Sequence, residues 1–325
     1  LVATVDVADA DLLQQGVETL FRMSTVANRA EMKLVSRSLR ELGRAFRIFA
    51  PYREKRKVSM FGSARTPAAH GDYRIAREFG EAIVARGWMV ITGAGPGIME
   101  AGHEGAGAKE SFGVGIKLPM EQGANGFIAG DPKLIDFKYF FNRKIMFVKE
   151  SDAFVLFPGG YGTLDEGFEL LTLMQTGKAA IRPVVLLEPE GGTYWTEWLT
   201  FVREHLVARG LCSEEDLALV EPSYSAADAV ERIERFYRNF DSARYVGERL
   251  VLRMRQAPSK QRLAQINAEF ADLLQRGRIE RIAITPAEAK DGDAVELERV
   301  ALFARPNFGR LRQLIDALND DVTAP

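Results

Sequence analysis

Between residues 32 and 49 the apolar side chains Met32, Val35, Leu39, Leu42, Phe46 and Phe49 recur three or four positions apart, the stripe of an amphipathic helix. A shorter stripe at Leu13, Val17 and Leu20 precedes it, so the chain is expected to open with a helical hairpin closed by Pro51. From Lys57 to about Pro189 the period changes. Val58–Phe61, Met89–Thr92, Val114–Leu118, Ala153–Phe157 and Val184–Leu187 are short apolar runs bounded by glycine, proline or charge, as strands buried on both faces are. Tyr73–Ala85, Gly97–Lys109 and Phe137–Lys149 read as crossover helices between them, with further helices at Trp195–Ala208 and Ala226–Asn239. Strands alternating with helices predict an α/β fold, a doubly wound parallel sheet.

Beyond Tyr245 the pattern changes again. A strand is expected at Leu250–Met254 and a helix at Lys260–Gln275 with Leu263, Ile266, Phe270 and Leu274 on one face. Strands near Ile279–Ile284 and Val295–Phe303 and a last helix over Phe308–Leu318 complete a small α+β appendage. The expected divisions are therefore 1–56, a helical segment; 57–244, the doubly wound α/β domain; and 245–325, the appendage. No candidate for chemistry lies in the last piece, which is expected to be dispensable for turnover.

Composition narrows the function classes. The 325 residues carry 43 Lys+Arg against 45 Asp+Glu, so no single-sign field draws the molecule to nucleic acid or membrane, and neither is expected as a partner. Residues 29–57 are locally basic, with ten Lys/Arg and three Glu, which suits a solvated or subunit-packing face, or else an anionic surface. The stripe at Met32–Phe49 exposes more apolar surface than a small domain edge covers, so a homodimer or larger assembly is expected. One cysteine, Cys212, and three scattered histidines predict neither a disulfide nor a metal site, and a reducing, cytoplasmic setting.

Candidate chemistry concentrates in the loops after the strands. Ala153–Phe157 ends in Pro158-Gly159-Gly160-Tyr161-Gly162-Thr163 ahead of a helix. Three glycines there let the backbone turn and approach a ligand, while the N–H groups and dipole of the helix start favour an anion such as phosphate. The plainer alternative is a tight turn capped by Thr163. The loop lacks the lysine of a nucleoside-triphosphate site. A second loop, Gly93-Ala94-Gly95-Pro96-Gly97, has Ile98 where a dinucleotide fingerprint needs its third glycine, and the next strand closes with Lys117 instead of an acid, which speaks against NAD. With Gly62-Ser63-Ala64-Arg65 after the first strand, the three loops are expected to surround one crevice. Gly62, Ser63, Gly95, Gly97, Gly159, Gly160, Gly162 and Thr163 are its candidate binding residues.

Two acids, Asp165 and Glu166, head the helix after the third loop. Adjacent helical positions diverge by about 100°, so only one faces a bound phosphate ester, while Glu166 and Glu169 share a face. Arg143 and Lys144 on the preceding helix supply cations within reach of the same crevice, Lys144 as a further candidate for binding substrate. An N-glycosidic bond breaks through an oxocarbenium-like ribose that a carboxylate stabilises while water is activated, which Glu166 can do without metal or organic cofactor.

Pro158-Gly159-Gly160-Tyr161-Gly162-Thr163-Leu164-Asp165-Glu166, preceded by Arg143-Lys144-Ile145-Met146, resembles the paired PGGxGTxxE and RKxxM signatures of the LOG (Lonely guy) family, cytokinin-activating phosphoribohydrolases often mislabelled lysine decarboxylases. The resemblance covers about Lys57 to Phe240. It implies a Rossmann-like dimer that splits a nucleoside 5′-monophosphate into free base and ribose 5-phosphate, with Arg143 and Glu166 as the catalytic pair and the Gly159–Thr163 loop on the phosphate. Gly167 stands where many relatives have leucine and is expected to loosen the helix start. Gly93–Gly97 replaces a run of three glycines and leaves the base open: adenine, a cytokinin, or a broader set of purines and pyrimidines. A non-catalytic nucleotide or pterin-phosphate carrier on the same fold is the reading from another class.

Overall fold

A computed structural model describes residues 9–117, 123–292 and 294–320. Two helices open the chain, α1 (Ala10–Ser24) and α2 (Arg29–Phe49). Asn28 caps α2 by accepting from the N–H groups of Ala30 and Glu31, and the Glu31 carboxylate accepts in return from the Asn28 N–H. The α/β part then runs β1 (Lys57–Phe61), α3 (Gly71–Val84), β2 (Met89–Thr92), α4 (Ile98–Ala106), β3 (Ser111–Ile116), β4 (Leu134–Phe137), α5 (Phe140–Glu150), β5 (Ala153–Leu156), α6 (Tyr161–Gln175), β6 (Val184–Leu187), α7 (Tyr194–Phe201), β7 (Glu221–Ser223) and α8 (Ala226–Phe236). Its seven strands form one parallel sheet in the order β4-β3-β2-β1-β5-β6-β7, a Rossmann-like arrangement.

Alternation along the strands assigns each side chain to a layer. On β1, Val58 and Met60 face α3, α4 and α8, whereas Phe61 faces α2, α5, α6 and α7. Both layers are apolar because helices cover both faces of a parallel sheet. Phe79 of α3, fully buried, is a representative anchor: Phe79→Ala would cost about 3–5 kcal/mol.

The chain ends in β8 (Phe240–Val246), β9 (Arg249–Met254), α9 (Lys260–Glu269), β10 (Leu274–Ile282), α10 (Pro286–Asp291), β11 (Glu298–Ala304) and α11 (Phe308–Asn319), whose strands form an antiparallel sheet in the order β10-β11-β9-β8. Leu250, Leu252, Val300, Leu302, Leu314 and Leu318 belong to the same apolar cluster as Val58, Phe79 and Phe236 of the α/β part. The second sheet thus closes one side of the first part's core. The ring of Phe308 lies where a side chain on Gly177 would point, next to the end of α6, and buried Arg312 pairs with Glu221 and Asp316.

Several boundaries differ from the sequence expectation. β8 lies across the division placed at 244/245, because its charged and half-buried residues show no apolar alternation. Phe137 ends β4 instead of starting a helix, and β7 was not foreseen, since Glu221-Pro222-Ser223 has no strand composition. The helix expected over Trp195–Ala208 is α-helical only to Phe201 and continues as a π-helical stretch over Val202–Val207. The helix expected to reach Gln275 stops at Glu269, and Leu274 and Gln275 begin β10. The third strand begins at Ser111, and its expected end at Leu118 falls outside the described residues. Among the described residues no helix is long and apolar enough to cross a membrane.

Candidate active site

Chain direction across the sheet reverses between β1 and β5: β1 to β4 run to one side and β5 to β7 to the other. Loops leaving neighbouring strands at such a point part from each other and open a crevice at the carboxyl edge. Here the loops after β1, β2 and β5 are tied together around it. The Ser63 N–H donates to the Pro158 carbonyl at 3.3 Å, and the Ser63 carbonyl accepts from the Ile98 N–H at 3.1 Å.

Most of the glycines in these loops are demanded by close approach. A Cβ on Gly62 would sit 2.6–2.7 Å from Ile98, one on Gly95 2.7 Å from Met99 Cε, and one on Gly159 would overlap Thr163. Gly97 has φ +66° and its Cβ would overlap the Ser63 carbonyl, so it needs glycine on both counts. Around Gly160 and Gly162, by contrast, a Cβ would meet nothing within 4 Å. Thr163 is buried in the first turn of α6, and Tyr161 is 95% exposed.

The expected catalytic residues converge from α5 and α6. Arg143 donates from Nε to the Val114 carbonyl at 3.0 Å and lays its guanidinium against Gly93, where a Cβ would stand 2.5 Å from Nη2. Lys144, expected to bind substrate, is turned to α6 instead: its Nζ lies 2.8 Å from Asp165, 2.5 Å from Glu169 and 3.8 Å from Glu166. Asp165 and Glu166 do diverge as helical neighbours must, with side chains 60% and 12% exposed. Only Glu166 points inward.

These neighbours set the protonation of the pair. Burial pushes the Glu166 carboxyl above its ordinary value; Lys144 and then Arg143 pull it down, and Asp165 and Glu169 push it further up. The net rise comes from burial, which Lys144, closer to Asp165 and Glu169 than to Glu166, does not offset. Burial works against the Lys144 charge, yet its bonds to Asp165 and Glu169 and the field of Glu166 hold the ammonium above its ordinary value. The result is a desolvated carboxyl within the field of both Lys144 and Arg143. Gly167 lies within α6, and a Cβ there would stand 2.7 Å from Leu156, so its absence lets α6 seat directly on β5.

Sequence reasoning missed the residues that hold these loops. Tyr194 donates its hydroxyl to the Gly159 carbonyl at 2.7 Å, and buried Glu188 fixes the start of α7 by accepting from the N–H groups of Tyr194 and Trp195 at 3.0 and 3.1 Å. Asn125 donates from its side chain to the Gly95 carbonyl, and His103, fully buried, lies between Asn125 and Thr92. An isolated histidine without metal-ligand spacing gave no signal for this. Only the three-dimensional meeting of α4 with residue 125 reveals it.

Against known proteins, residues 99–233 match the family model described as "Possible lysine decarboxylase", a span that holds Arg143, Glu166 and the Gly159–Thr163 loop. The chain is 32% identical over 164 residues to cytokinin riboside 5′-monophosphate phosphoribohydrolase LOG1 of Arabidopsis thaliana, covering 50% of this chain and 74% of that protein. It is 28% identical over 193 residues to cytokinin riboside 5′-monophosphate phosphoribohydrolase LOG of Oryza sativa subsp. japonica, covering 57% and 76%. Among solved structures it is similar to the molybdenum cofactor binding protein of Rippkaea orientalis, at 22% identity, TM-score 0.41, and 56% and 98% coverage. The molybdenum cofactor carrier protein of Chlamydomonas reinhardtii is alike at 22% identity, TM-score 0.40, and 56% and 97% coverage.

Proposed function

Because the chain belongs to the LOG family of phosphoribohydrolases, we propose that it hydrolyses the N-glycosidic bond of a nucleoside 5′-monophosphate, AMP or a cytokinin riboside monophosphate, to free base and ribose 5-phosphate. The observation that carries this reading is the buried carboxyl of Glu166 within the field of Arg143, beside an open glycine loop at a helix start. The 5′-phosphate docks on the N–H groups of Gly159–Thr163, where the α6 dipole favours an anion. That remote contact fixes C1′ against Glu166. As the bond to the base lengthens, positive charge grows on the ribose ring and the desolvated carboxylate stabilises it. The base departs with the electron pair of the C1′–N bond; Glu166 takes the proton of the attacking water and gives it up to the departed base, while Arg143 orients the nucleotide through its hydroxyl or phosphate oxygens. Lys144 keeps Glu166 placed and, with its attention divided among three carboxylates, leaves it basic enough for that step.

Free base released from AMP, GMP, CMP and N6-isopentenyl-AMP, followed by chromatography, tests the reaction and its breadth. Glu166→Gln keeps the shape and removes the charge, so kcat should fall at least about 10²-fold with nucleotide binding retained. Equal rates across the panel would mark a broad nucleosidase. Nucleotide binding with no free base from the wild-type protein would leave a carrier in its place.

We further propose that the cytoplasmic enzyme works as a homodimer. No described residue of α1 is buried, and on α2 only Ala45 and Phe49 are, while Leu39 and Phe46 are 51% and 40% exposed. Light scattering should give at least twice the chain mass; a monomer at micromolar concentration removes this claim.

A further inference from the structure

Ala94 is the one residue of the second glycine loop that carries a side chain in the left-handed region, with φ +64°. A non-glycine residue there costs roughly 1 kcal/mol and persists only where its surroundings impose it. Three hydrogen bonds do so. The Ala94 N–H donates to Thr92 Oγ1 at 3.0 Å, the Ala94 carbonyl accepts from the Asn125 N–H at 2.9 Å, and the Gly95 carbonyl accepts from Asn125 Nδ2 at 2.9 Å.

Behind this first layer stands His103. Its Nε2 lies 3.1 Å from the Phe112 carbonyl, which can only accept, so Nε2 carries the proton and shares it with Thr92 Oγ1 at 3.0 Å. A neutral ring protonated at Nε2 leaves Nδ1 an acceptor, and Asn125 Nδ2 is 3.1 Å away. The two protons of Nδ2 are then both used, one on His103 and one on Gly95. Burial, which holds the His103 pKa below its ordinary value, favours this same neutral form. The Nε2 proton, Nδ1 and both protons of Asn125 Nδ2 thus each have a stated partner, which fixes the ring against the amide.

The consequence reaches the site through Gly93. The Arg143 guanidinium lies on Gly93, so the position of this loop is the position of the wall behind the arginine.

We infer that Asn125 and His103 are positioning residues for Arg143: they clamp Ala94 and Gly95 and thereby hold the surface against which the guanidinium is aimed into the crevice. This rests on the reading of Arg143 as part of the nucleotide site. Asn125→Asp keeps the shape of the side chain and replaces its two donated bonds by an acceptor facing two acceptors. His103→Gln retains a donor at the place of Nε2 and should act as the partial rescue relative to His103→Leu.

Hydrogen exchange of the segment 93–99 reads the clamp without any ligand. Asn125→Asp and His103→Leu should exchange there at least about tenfold faster than the wild type, with β5 and β6 unchanged and His103→Gln in between. Unchanged protection in both variants overturns the clamp. Equal acceleration throughout the sheet overturns it as well, since that marks general destabilisation.

The link to Arg143 is read by calorimetric titration with ribose 5-phosphate, which carries the phosphate and has no glycosidic bond to cleave. Asn125→Asp should weaken binding about tenfold in the wild-type background and have no further effect in an Arg143→Ala background, where the residue being aimed is gone. Equal loss in both backgrounds overturns the link and leaves a purely structural bond. Absence of free-base release by the wild-type protein would count against the hydrolase alone, because neither of these measurements depends on turnover.

Discussion

At Gly93, Gly95 and Gly97 the space a side chain would occupy is already taken by Arg143, Met99 and Ser63, whereas at Gly160 and Gly162 a methyl group would meet nothing within 4 Å. Both segments are glycine-rich and both border the same crevice. The loop after β2 is a packed part that supports the arginine. The loop after β5 is open: among the described residues nothing crowds Gly160, the N-cap of α6, or Gly162 in its first turn. Gly162 lies in the first turn of α6, where glycine is a poor helix former, so the chain gives up stability at that position. Open, costly glycine beside a buried carboxylate points to a ligand as its cause.

Substitutions at one position in each loop separate these roles. The largest effect is expected at Gly97→Ala, which combines a φ of +66° with overlap on the backbone of Ser63 and Ala64. Backbone on both sides leaves nothing flexible to yield, so stability should fall by about 3 kcal/mol or more in denaturant unfolding. A loss below about 1 kcal/mol would show that the β2 loop is less rigid than its contacts indicate. Gly162→Ala should behave in the opposite sense. It improves helix propensity and makes no clash, so stability should rise by about 0.5–1 kcal/mol, while the KM for AMP rises roughly tenfold as the methyl group enters the phosphate site. An unchanged KM would move the phosphate away from this loop and leave the glycine without an account.

How much of this was legible in the sequence follows the same division. The parallel strands could be read because Val184–Leu187 is an unbroken apolar run and Val58–Phe61 is broken only by Ser59, and the β5 loop because its glycines and acids are close together. Edge elements were not: Glu221-Pro222-Ser223 pairs with β6 through backbone alone, and Leu134–Phe137 has too mixed a composition to stand out. Residues acting across long sequence separations were invisible for a different reason. Tyr194 reaches Gly159, and Asn125 reaches Gly95, only after the sheet has formed. Lys144 was expected within reach of the crevice, but its partners were fixed by how α5 lies against α6, which no local pattern encodes. The segment after Tyr245, expected to be dispensable for turnover, shows the same limit of local reading. It holds no candidate catalytic residue, yet Leu252, Leu302 and Leu318 close the cluster containing Phe79 and Phe236, so cutting at Phe240 would open the core.

The smallest expected effect concerns Glu166 and tests whether the region beyond the β5 loop sacrifices stability for chemistry. Its carboxyl is raised above the ordinary value, first by burial. For an acid raised in the folded state, the stabilising contribution is fully present below the ordinary carboxyl value near 4.3 and is lost as pH rises through the higher folded value. At pH 7 the ionised group therefore costs stability. Glu166→Gln, which resembles the protonated form at every pH, should be more stable than the wild type at pH 7, by less than about 1 kcal/mol, and the difference should vanish toward pH 4. The catalytic rate should show the same ionisation with the opposite consequence, because only the charged form stabilises the ribose cation. The acidic limb of kcat should lie above the ordinary carboxyl range in the wild type and be absent from the residual rate of Glu166→Gln. A limb at or below about pH 4.3, with Glu166→Gln no more stable at pH 7, would mean that Lys144 neutralises Glu166 more fully than its shared distances allow.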